Sequence, residues 1–161
     1  MSGLPVGIGQ LVASADPGDV ISALGLGSCI GLVLTDPRRK VAGMAHVMLP
    51  DSTTARAAGP PGKFADTAVP ALVAEVCRLG AERTALVAAI AGGAQMFSSG
   101  SGGGVLRIGE RNEEAVRAAL RTAGLRLRAH DTGGSLGRSL RVQVATGAVS
   151  VRAVGRDETS L

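Results

Sequence analysis

The sequence predicts an α+β domain built on packed mixed or antiparallel sheets, with two main helices on the outside. Strand-like segments outnumber helix-like segments. The former show apolar alternation or short continuous apolar runs, and the latter show apolar residues at helical spacing. Most successive strand-like segments are separated by turn sequences, so hairpins are expected rather than crossovers. The length of 161 residues suits one domain that spans residues 1–161.

Strand-like segments occur along the whole chain. The first is predicted at 6–13, and the Asp16-Pro17-Gly18-Asp19 sequence that follows it is typical of a turn. A segment at 20–24 then leads into an apolar stretch. Further strands are predicted at 41–49, 84–91, 105–108 and 125–130, with a closing hairpin from 140–144 and 149–151.

Two segments place apolar residues at helical spacing. The first helix is predicted to begin near Asp66 and to end at Gly80. The second is predicted to begin at Asn112, a good N-cap residue, and to end at Gly124. Their apolar faces consist of Val69, Leu72, Val73, Val76 and Leu79 in the first helix and Val116, Ala119, Leu120 and Ala123 in the second.

The stretch 24–50 contains two residues that suggest a catalytic pair, Cys29 and His46. Cys29 follows a Gly-Leu-Gly-Ser bend, which presents its thiol at the start of an apolar strand. His46 lies on the strand that returns. A free thiol has a pKa near ~8.5, so Cys29 needs a base or a positive field to become a thiolate at neutral pH. His46 is the candidate base.

The length of the turn decides how these two side chains meet. If Asp36 and Arg39 close a two-residue loop, Cys29 lies directly opposite His46, with Cβ atoms roughly 4.5–5.5 Å apart. Because Pro37 cannot adopt the primed turn that such loops favour, a longer loop is at least as well supported. A loop longer by two residues keeps both side chains on one face in diagonal positions, whereas a one-residue change separates them unless a bulge compensates.

In the catalytic interpretation, the Cys29 thiolate attacks an amide or ester carbonyl. Backbone N–H groups of Gly27, Ser28 and Cys29 are candidates to stabilise the oxyanion, because glycine lets the backbone approach closely. His46 then protonates the leaving amine and activates the water that hydrolyses the thioester. From the residues alone, a small buried cysteine and a satisfied core histidine remain the alternative.

The other cysteine and histidine suggest no chemistry. Cys77 lies on the first predicted helix and is interpreted as a packing residue. His130 alternates with arginines and is expected to be exposed. Neither cysteine belongs to a CxxC pair, so the sequence predicts no metal and no cofactor. The glycine-rich run 98–104 lacks the Lys-Ser/Thr of a phosphate-binding loop, which favours a mobile loop.

Composition argues against a nucleic-acid-binding protein and against a membrane protein. The chain has two aromatic residues and no dense basic run, which argues against nucleic-acid binding although the net charge is +4. A mildly basic half, 81–161, suits either an acidic protein partner or an ordinary solvated surface. No apolar run approaches the ~20 residues of a membrane span, and no signal peptide precedes the first strand. We therefore expect a cytoplasmic protein without membrane insertion.

Six sequence blocks occur in order along nearly the whole chain: LGLGSC at 24–29, AHVMLP at 45–50, KFADTA at 63–68, IAGGAQMF at 90–97, IGERN at 108–112 and DTGG at 131–134. In these blocks the sequence closely resembles the CheD family of chemoreceptor glutamine deamidases. The resemblance implies packed mixed sheets, a CheD-like cysteine hydrolase fold similar to that of bacterial toxins that deamidate host proteins. It assigns the nucleophile to Cys29 and the general base to His46.

The resemblance also implies an activity and partners. The activity is hydrolysis of glutamines in the cytoplasmic domain of chemotaxis receptors to glutamate, with release of ammonia. A second implied activity is methylesterase activity on receptor glutamyl esters. A CheC-type phosphatase that acts on the phosphorylated response regulator is the second implied partner. The alternative is an adaptor that binds and regulates this phosphatase with little turnover of its own.

One position departs from the family pattern. Family members carry a threonine where this sequence has Ala23, next to Ser22. Alanine offers only its backbone carbonyl to orient an imidazole, and Ser22 should point to the opposite face of the strand unless a bulge turns it. If neither serves, we expect deamidation to be retained but slower, because an orienting group contributes less than the nucleophile or base.

Overall fold

The computed structural model describes residues 2–53, 58–95 and 107–161. Within these residues the chain forms ten strands and two α-helices. In chain order the elements are β1 Ser2–Pro5, β2 Leu11–Ser14, β3 Asp19–Leu26, β4 Ile30–Asp36, β5 Val41–Val47, α1 Ala65–Arg78, β6 Val87–Gly92, α2 Ile108–Thr122, β7 Arg126–Thr132, β8 Arg138–Gln143, β9 Val149–Ala153 and β10 Thr159–Ser160. Single 3-10 turns occur at Pro61–Lys63 and Arg83–Ala85.

The strands form two mixed sheets of five strands each. The first sheet has the order β1-β3-β8-β9-β10, and the second has the order β2-β5-β4-β6-β7. Each sheet contains one parallel pair, β1 with β3 and β6 with β7, while the other pairs are antiparallel. The predicted α+β class with mixed sheets is confirmed.

Two apolar layers hold the sheets and helices together. One layer lies between the two sheets and includes Val33 and Met44 of the second sheet and Leu140 of the first. The other lies between the second sheet and the two helices and includes Leu32 and Leu72. Strand β4 is buried along its whole length because it contributes alternate residues to both layers. The helices are therefore on the outside, as predicted.

The predicted opening strand at 6–13 is wrong. The chain turns at 7–10, where Gln10 N donates to Gly7 O at 2.9 Å and Gly9 has a positive φ of 82°. The strands on either side of this turn, β1 and β2, belong to different sheets. The turn at 16–19 is confirmed by the bond from Asp19 N to Asp16 O.

The segment between β6 and β7 also differs from the prediction. Ile108 begins α2 instead of ending a strand, and Asn112 lies within the helix rather than at its N-cap. Because α2 returns the chain to the same end of the sheet, β6 and β7 are parallel neighbours joined by a crossover rather than a hairpin. The glycine-rich run 98–104 and the first residues of the predicted strand at 105–108 lie outside the described residues.

The other helical and hairpin predictions are confirmed. Helix α1 buries Val69, Leu72 and Val76, and the chain leaves both helices through glycines with positive φ, Gly80 and Gly124. Strands β8 and β9 form the closing hairpin. No helix in the described parts of the chain is both long enough and apolar enough to span a bilayer.

Candidate active site

The register of β4 and β5 places Cys29 and His46 diagonally on one face. Asp36 pairs with Val41, so the turn contains the four residues 37–40, and the predicted two-residue loop is wrong. His46 pairs with Gly31, and Cys29 lies two residues before Gly31. Diagonal neighbours in an antiparallel pair are roughly 7–8 Å apart. The longer loop is thus the alternative that the structure adopts.

Gly31 occupies the position directly across from His46. A Cβ built there would lie 2.7 Å from Leu140 Cδ2 and 3.0 Å from Leu26 Cδ1. These two leucines of the first sheet fill the space that a side chain at position 31 would take. A glycine is therefore required for the sheets to pack this closely beside the imidazole.

The ring of His46 has a defined orientation. It is only 3% exposed, and its Nδ1 lies 3.0 Å from the backbone oxygen of Val6. Because a carbonyl oxygen can only accept, Nδ1 must carry the proton in this contact. In the neutral ring Nε2 then holds a lone pair, and this atom is buried without a hydrogen-bond partner among the described residues.

The segment 6–10 also holds the backbone of His46. Gly9 N donates to His46 O at 2.9 Å, and His46 N donates to Gln10 O at 3.0 Å. Together with the Val6 contact, the connection between β1 and β2 surrounds this residue. The sequence interpretation missed this role, since a backbone carbonyl carries no residue-specific signal.

The carbonyl groups of the bend before β4 are all anchored. Those of Gly27, Ser28 and Cys29 each accept a hydrogen bond from a distant segment. The N–H groups of the same three residues find no acceptor among the described residues. The bonds run from Ala94 N to Gly27 O at 2.8 Å, from Asn112 Nδ2 to Ser28 O at 2.9 Å and from Gly93 N to Cys29 O at 2.9 Å.

Cys29 is 9% exposed as a residue and lies in the apolar layer between the sheets. Burial raises the pKa of the Cys29 thiol above its ordinary value, because an apolar environment disfavours the thiolate. The direction is opposite to the lowering expected from a facing imidazole. A base is therefore needed to form the thiolate at neutral pH.

Neither Ala23 nor Ser22 is hydrogen-bonded to the His46 ring, whose Nδ1 contacts Val6 O and whose Nε2 has no partner among the described residues. Ala23 is fully buried between the sheets, and Ser22 lines a shallow cavity on the outer face of the first sheet beside Arg141. The bulge in β3 lies between Ala23 and Leu26, so it does not turn Ser22 inward. Ser22 contributes through its backbone instead, since its oxygen accepts from Val6 N at 2.8 Å.

The remaining chemistry-bearing residues lie elsewhere. Cys77 is half-buried on α1 and packs against the layer beneath the helices, while His130 is exposed on β7. Both placements agree with the prediction. Across residues 2–53, 58–95 and 107–161, no group of three His, Cys, Asp or Glu side chains is arranged to hold a metal ion.

Asn112 is a site residue whose role the sequence interpretation missed. Its side chain is fully buried and reaches from α2 to the carbonyl oxygens of Ser28 and Met48. Gly109, one turn earlier, packs so closely that a Cβ there would lie 2.5 Å from Gly93 O. The block 108–112 contains both residues and is the available signal, but local pattern alone predicts a strand end at Ile108 and an N-cap at Asn112.

The sequence comparisons identify the family. A family model described as CheD chemotactic sensory transduction matches residues 48–153 of the chain. The chain belongs to the CheD family. Its relatives include the "Probable chemoreceptor glutamine deamidase CheD" of Symbiobacterium thermophilum, 48% identical over 97% of this chain and 95% of the relative. The "Chemoreceptor glutamine deamidase CheD" of Thermotoga maritima is 48% identical over 95% of this chain and 93% of the relative.

The family model covers less of this CheD family member than the alignment with its relatives does. The family model begins after Cys29 and His46. The alignment with the Symbiobacterium relative, at 97% of the chain, spans the segment that contains both. The resemblance first noted in six short blocks therefore extends over nearly the whole length.

Proposed function

We propose that this protein is a chemoreceptor glutamine deamidase that uses Cys29 as nucleophile and His46 as general base. The names of its full-length relatives support the substrate and the reaction. The observation that carries the residue assignment is the orientation of His46. Its Nδ1–H is committed to Val6 O, which leaves the buried lone pair of Nε2 on the face of the sheet that carries Cys29.

The first half of the reaction forms a thioester. Nε2 of His46 takes the proton from the Cys29 thiol, and the thiolate attacks the side-chain carbonyl carbon of a receptor glutamine. The N–H groups of Gly27, Ser28 and Cys29, which have no acceptor among the described residues, stabilise the oxyanion, in a bend whose carbonyls are already anchored. The imidazolium then protonates the nitrogen, the C–N bond breaks and ammonia leaves.

The second half restores the enzyme. Nε2 of His46 accepts a proton from water, and the resulting hydroxide attacks the thioester carbonyl. The C–S bond breaks, Cys29 regains its proton and the receptor residue leaves as glutamate. Because burial raises the pKa of the Cys29 thiol, the general base His46 is needed to remove its proton for the attack.

The chain offers matched controls for both catalytic residues. Purified protein is incubated with the cytoplasmic domain of a chemoreceptor in heavy-oxygen water, and glutamine conversion is followed by mass spectrometry. Cys29→Ala is expected to abolish conversion, while Cys77→Ala retains it. His46→Ala is expected to lose activity by about 10²- to 10⁴-fold, while His130→Ala retains it. Conversion by Cys29→Ala at the wild-type rate would overturn the assignment.

The same experiment addresses the adaptor alternative and the further partner. Absence of conversion by the wild-type protein, together with tight binding of a CheC-type phosphatase, would support the adaptor function instead. Receptor glutamyl methyl esters added as a second substrate test methylesterase activity. Ester hydrolysis that disappears in Cys29→Ala would assign it to the same thioester route.

A further inference from the structure

We propose that Asn112 is a positioning residue that fixes the bend carrying Cys29 relative to the strand carrying His46. This inference rests on the proposed function of that pair. It assigns to α2 a part in catalysis, although none of its side chains need contact the reacting atoms.

The side-chain amide of Asn112 joins the two catalytic segments directly. Its Nδ2 donates to Ser28 O and to Met48 O, each at 2.9 Å. Ser28 immediately precedes Cys29, and Met48 lies two residues after His46. One planar NH2 group therefore holds both carbonyl oxygens at hydrogen-bond distance from the same nitrogen.

This bridge lies where the backbone ladder stops. The last paired residues of β4 and β5 at this end are Ile30 and Val47. Beyond them the backbones separate, since Met48 N donates to Lys63 O and Cys29 O accepts from Gly93 N. The Asn112 amide thus supplies a connection between the two segments at the point where the sheet no longer does.

The chemistry of the contact selects an amide. Both acceptors are carbonyl oxygens, so the bridging group must donate twice from one atom. A hydroxyl has a single hydrogen, and a carboxylate only accepts. The Oδ1 of Asn112 is buried without a partner among the described residues, which costs stability. Stability alone therefore does not explain an asparagine at this position.

The helix that carries Asn112 is a rigid support. At Gly109 the backbone of α2 packs against Gly93 O and Ala94 O, where an added Cβ would lie 2.5 Å and 2.6 Å from them. Gly93 N in turn holds Cys29 O at 2.9 Å. The helix therefore reaches the cysteine bend through two routes, one through backbone packing and one through the Asn112 amide.

The test compares Asn112→Leu with Leu120→Ala. Leu120 is a buried apolar residue of the same helix, eight positions after Asn112, so its truncation destabilises the protein without removing a hydrogen bond to Ser28 or Met48. At a temperature where both variants are folded, Asn112→Leu is expected to lower kcat about 10- to 100-fold with little change in KM. Leu120→Ala is expected to keep both constants.

A second readout separates positioning from stability. The pH dependence of Cys29 alkylation by iodoacetamide reports how the thiol is placed relative to the imidazole. The profile of Asn112→Leu is expected to approach that of His46→Ala, whereas Leu120→Ala keeps the wild-type profile. Asn112→Ser, which retains at most one of the two bonds, should fall between them and is used if Asn112→Leu does not fold.

Two results would overturn the inference: folded Asn112 variants with wild-type kcat and alkylation profile, or an equal shift of the profile in Leu120→Ala. The alkylation measurement needs no receptor. If the wild-type protein converts no glutamine, the proposed function fails, while alkylation still decides whether Asn112 positions the thiol.

Discussion

Replacement of Gly92 by alanine should disturb the cysteine bend through a single steric contact. Gly92 ends β6 with a φ of 114°, and a Cβ added there would lie 2.1 Å from the carbonyl oxygen of Cys29. That oxygen is already fixed by the bond from Gly93 N. Backbone atoms of the bend must therefore move for alanine to fit.

Gly80 provides a matched control. Its φ is 113°, nearly the same as that of Gly92, but a Cβ there would have nothing within 4 Å. Alanine at position 80 therefore adds only backbone strain, about 1–2 kcal/mol. Alanine at position 92 adds the same strain and an overpacking cost of about 1–3 kcal/mol. A weakened Gly93–Cys29 hydrogen bond adds about 0.5–1.5 kcal/mol.

Urea unfolding and receptor deamidation measure the two consequences. Gly92→Ala should lower the free energy of unfolding by about 1.5–4.5 kcal/mol more than Gly80→Ala. It should also lower turnover of the folded fraction, while Gly80→Ala keeps wild-type turnover. Equal losses of stability and equal turnover in the two variants would refute the contact between Gly92 and the carbonyl of Cys29.

Two further predictions concern pH. Because burial raises the pKa of the Cys29 thiol in the folded state, the unfolded chain loses this proton first. The free energy of unfolding should therefore fall as pH rises above about 8.5. Cys29→Ala should remove this contribution, and an unchanged alkaline slope in urea unfolding would contradict it. Burial alone would raise the pKa of Asp36, but hydrogen bonds from Glu82 N and from the side chain and backbone N–H of Arg39 lower it overall. Its stabilisation is present above about pH 4 and is lost as pH falls through the folded pKa. Asp36→Asn should cost about 1–3 kcal/mol at neutral pH and flatten the acid limb of stability, and a variant as stable as wild type would count against this network.

The local elements follow from local patterns in the sequence. The apolar spacing of Val69, Leu72 and Val76 sufficed for α1, because a helix that packs on a sheet needs one apolar face. The turn after Asp36 and the apolar residues around it sufficed for the β4–β5 hairpin. Because side chains alternate between the two faces of a strand, a loop of two or of four residues leaves Cys29 and His46 on the same face.

Local patterns gave wrong predictions where one pattern is compatible with two different local structures. Asn112 followed by acidic residues is typical of a helix start, but α2 begins at Ile108 and buries this amide instead. The strand-like alternation at 6–13 could not reveal that the chain turns between two sheets there. In both places packing against distant segments overrode local preference.

By itself, the sequence determined the fold class through its residue types and periodicity, the family through its six sequence blocks, and which cysteine and histidine share a sheet face. Only the tertiary structure decided the register that sets them diagonally, the Val6 carbonyl that orients the imidazole and the Asn112 amide that joins their segments. The physical reason is that these contacts connect parts of the chain far apart in sequence. The contacts of His46 and Asn112 also have backbone oxygens as acceptors. Every residue has such an oxygen, so the side-chain pattern of the sequence does not predict which one is used.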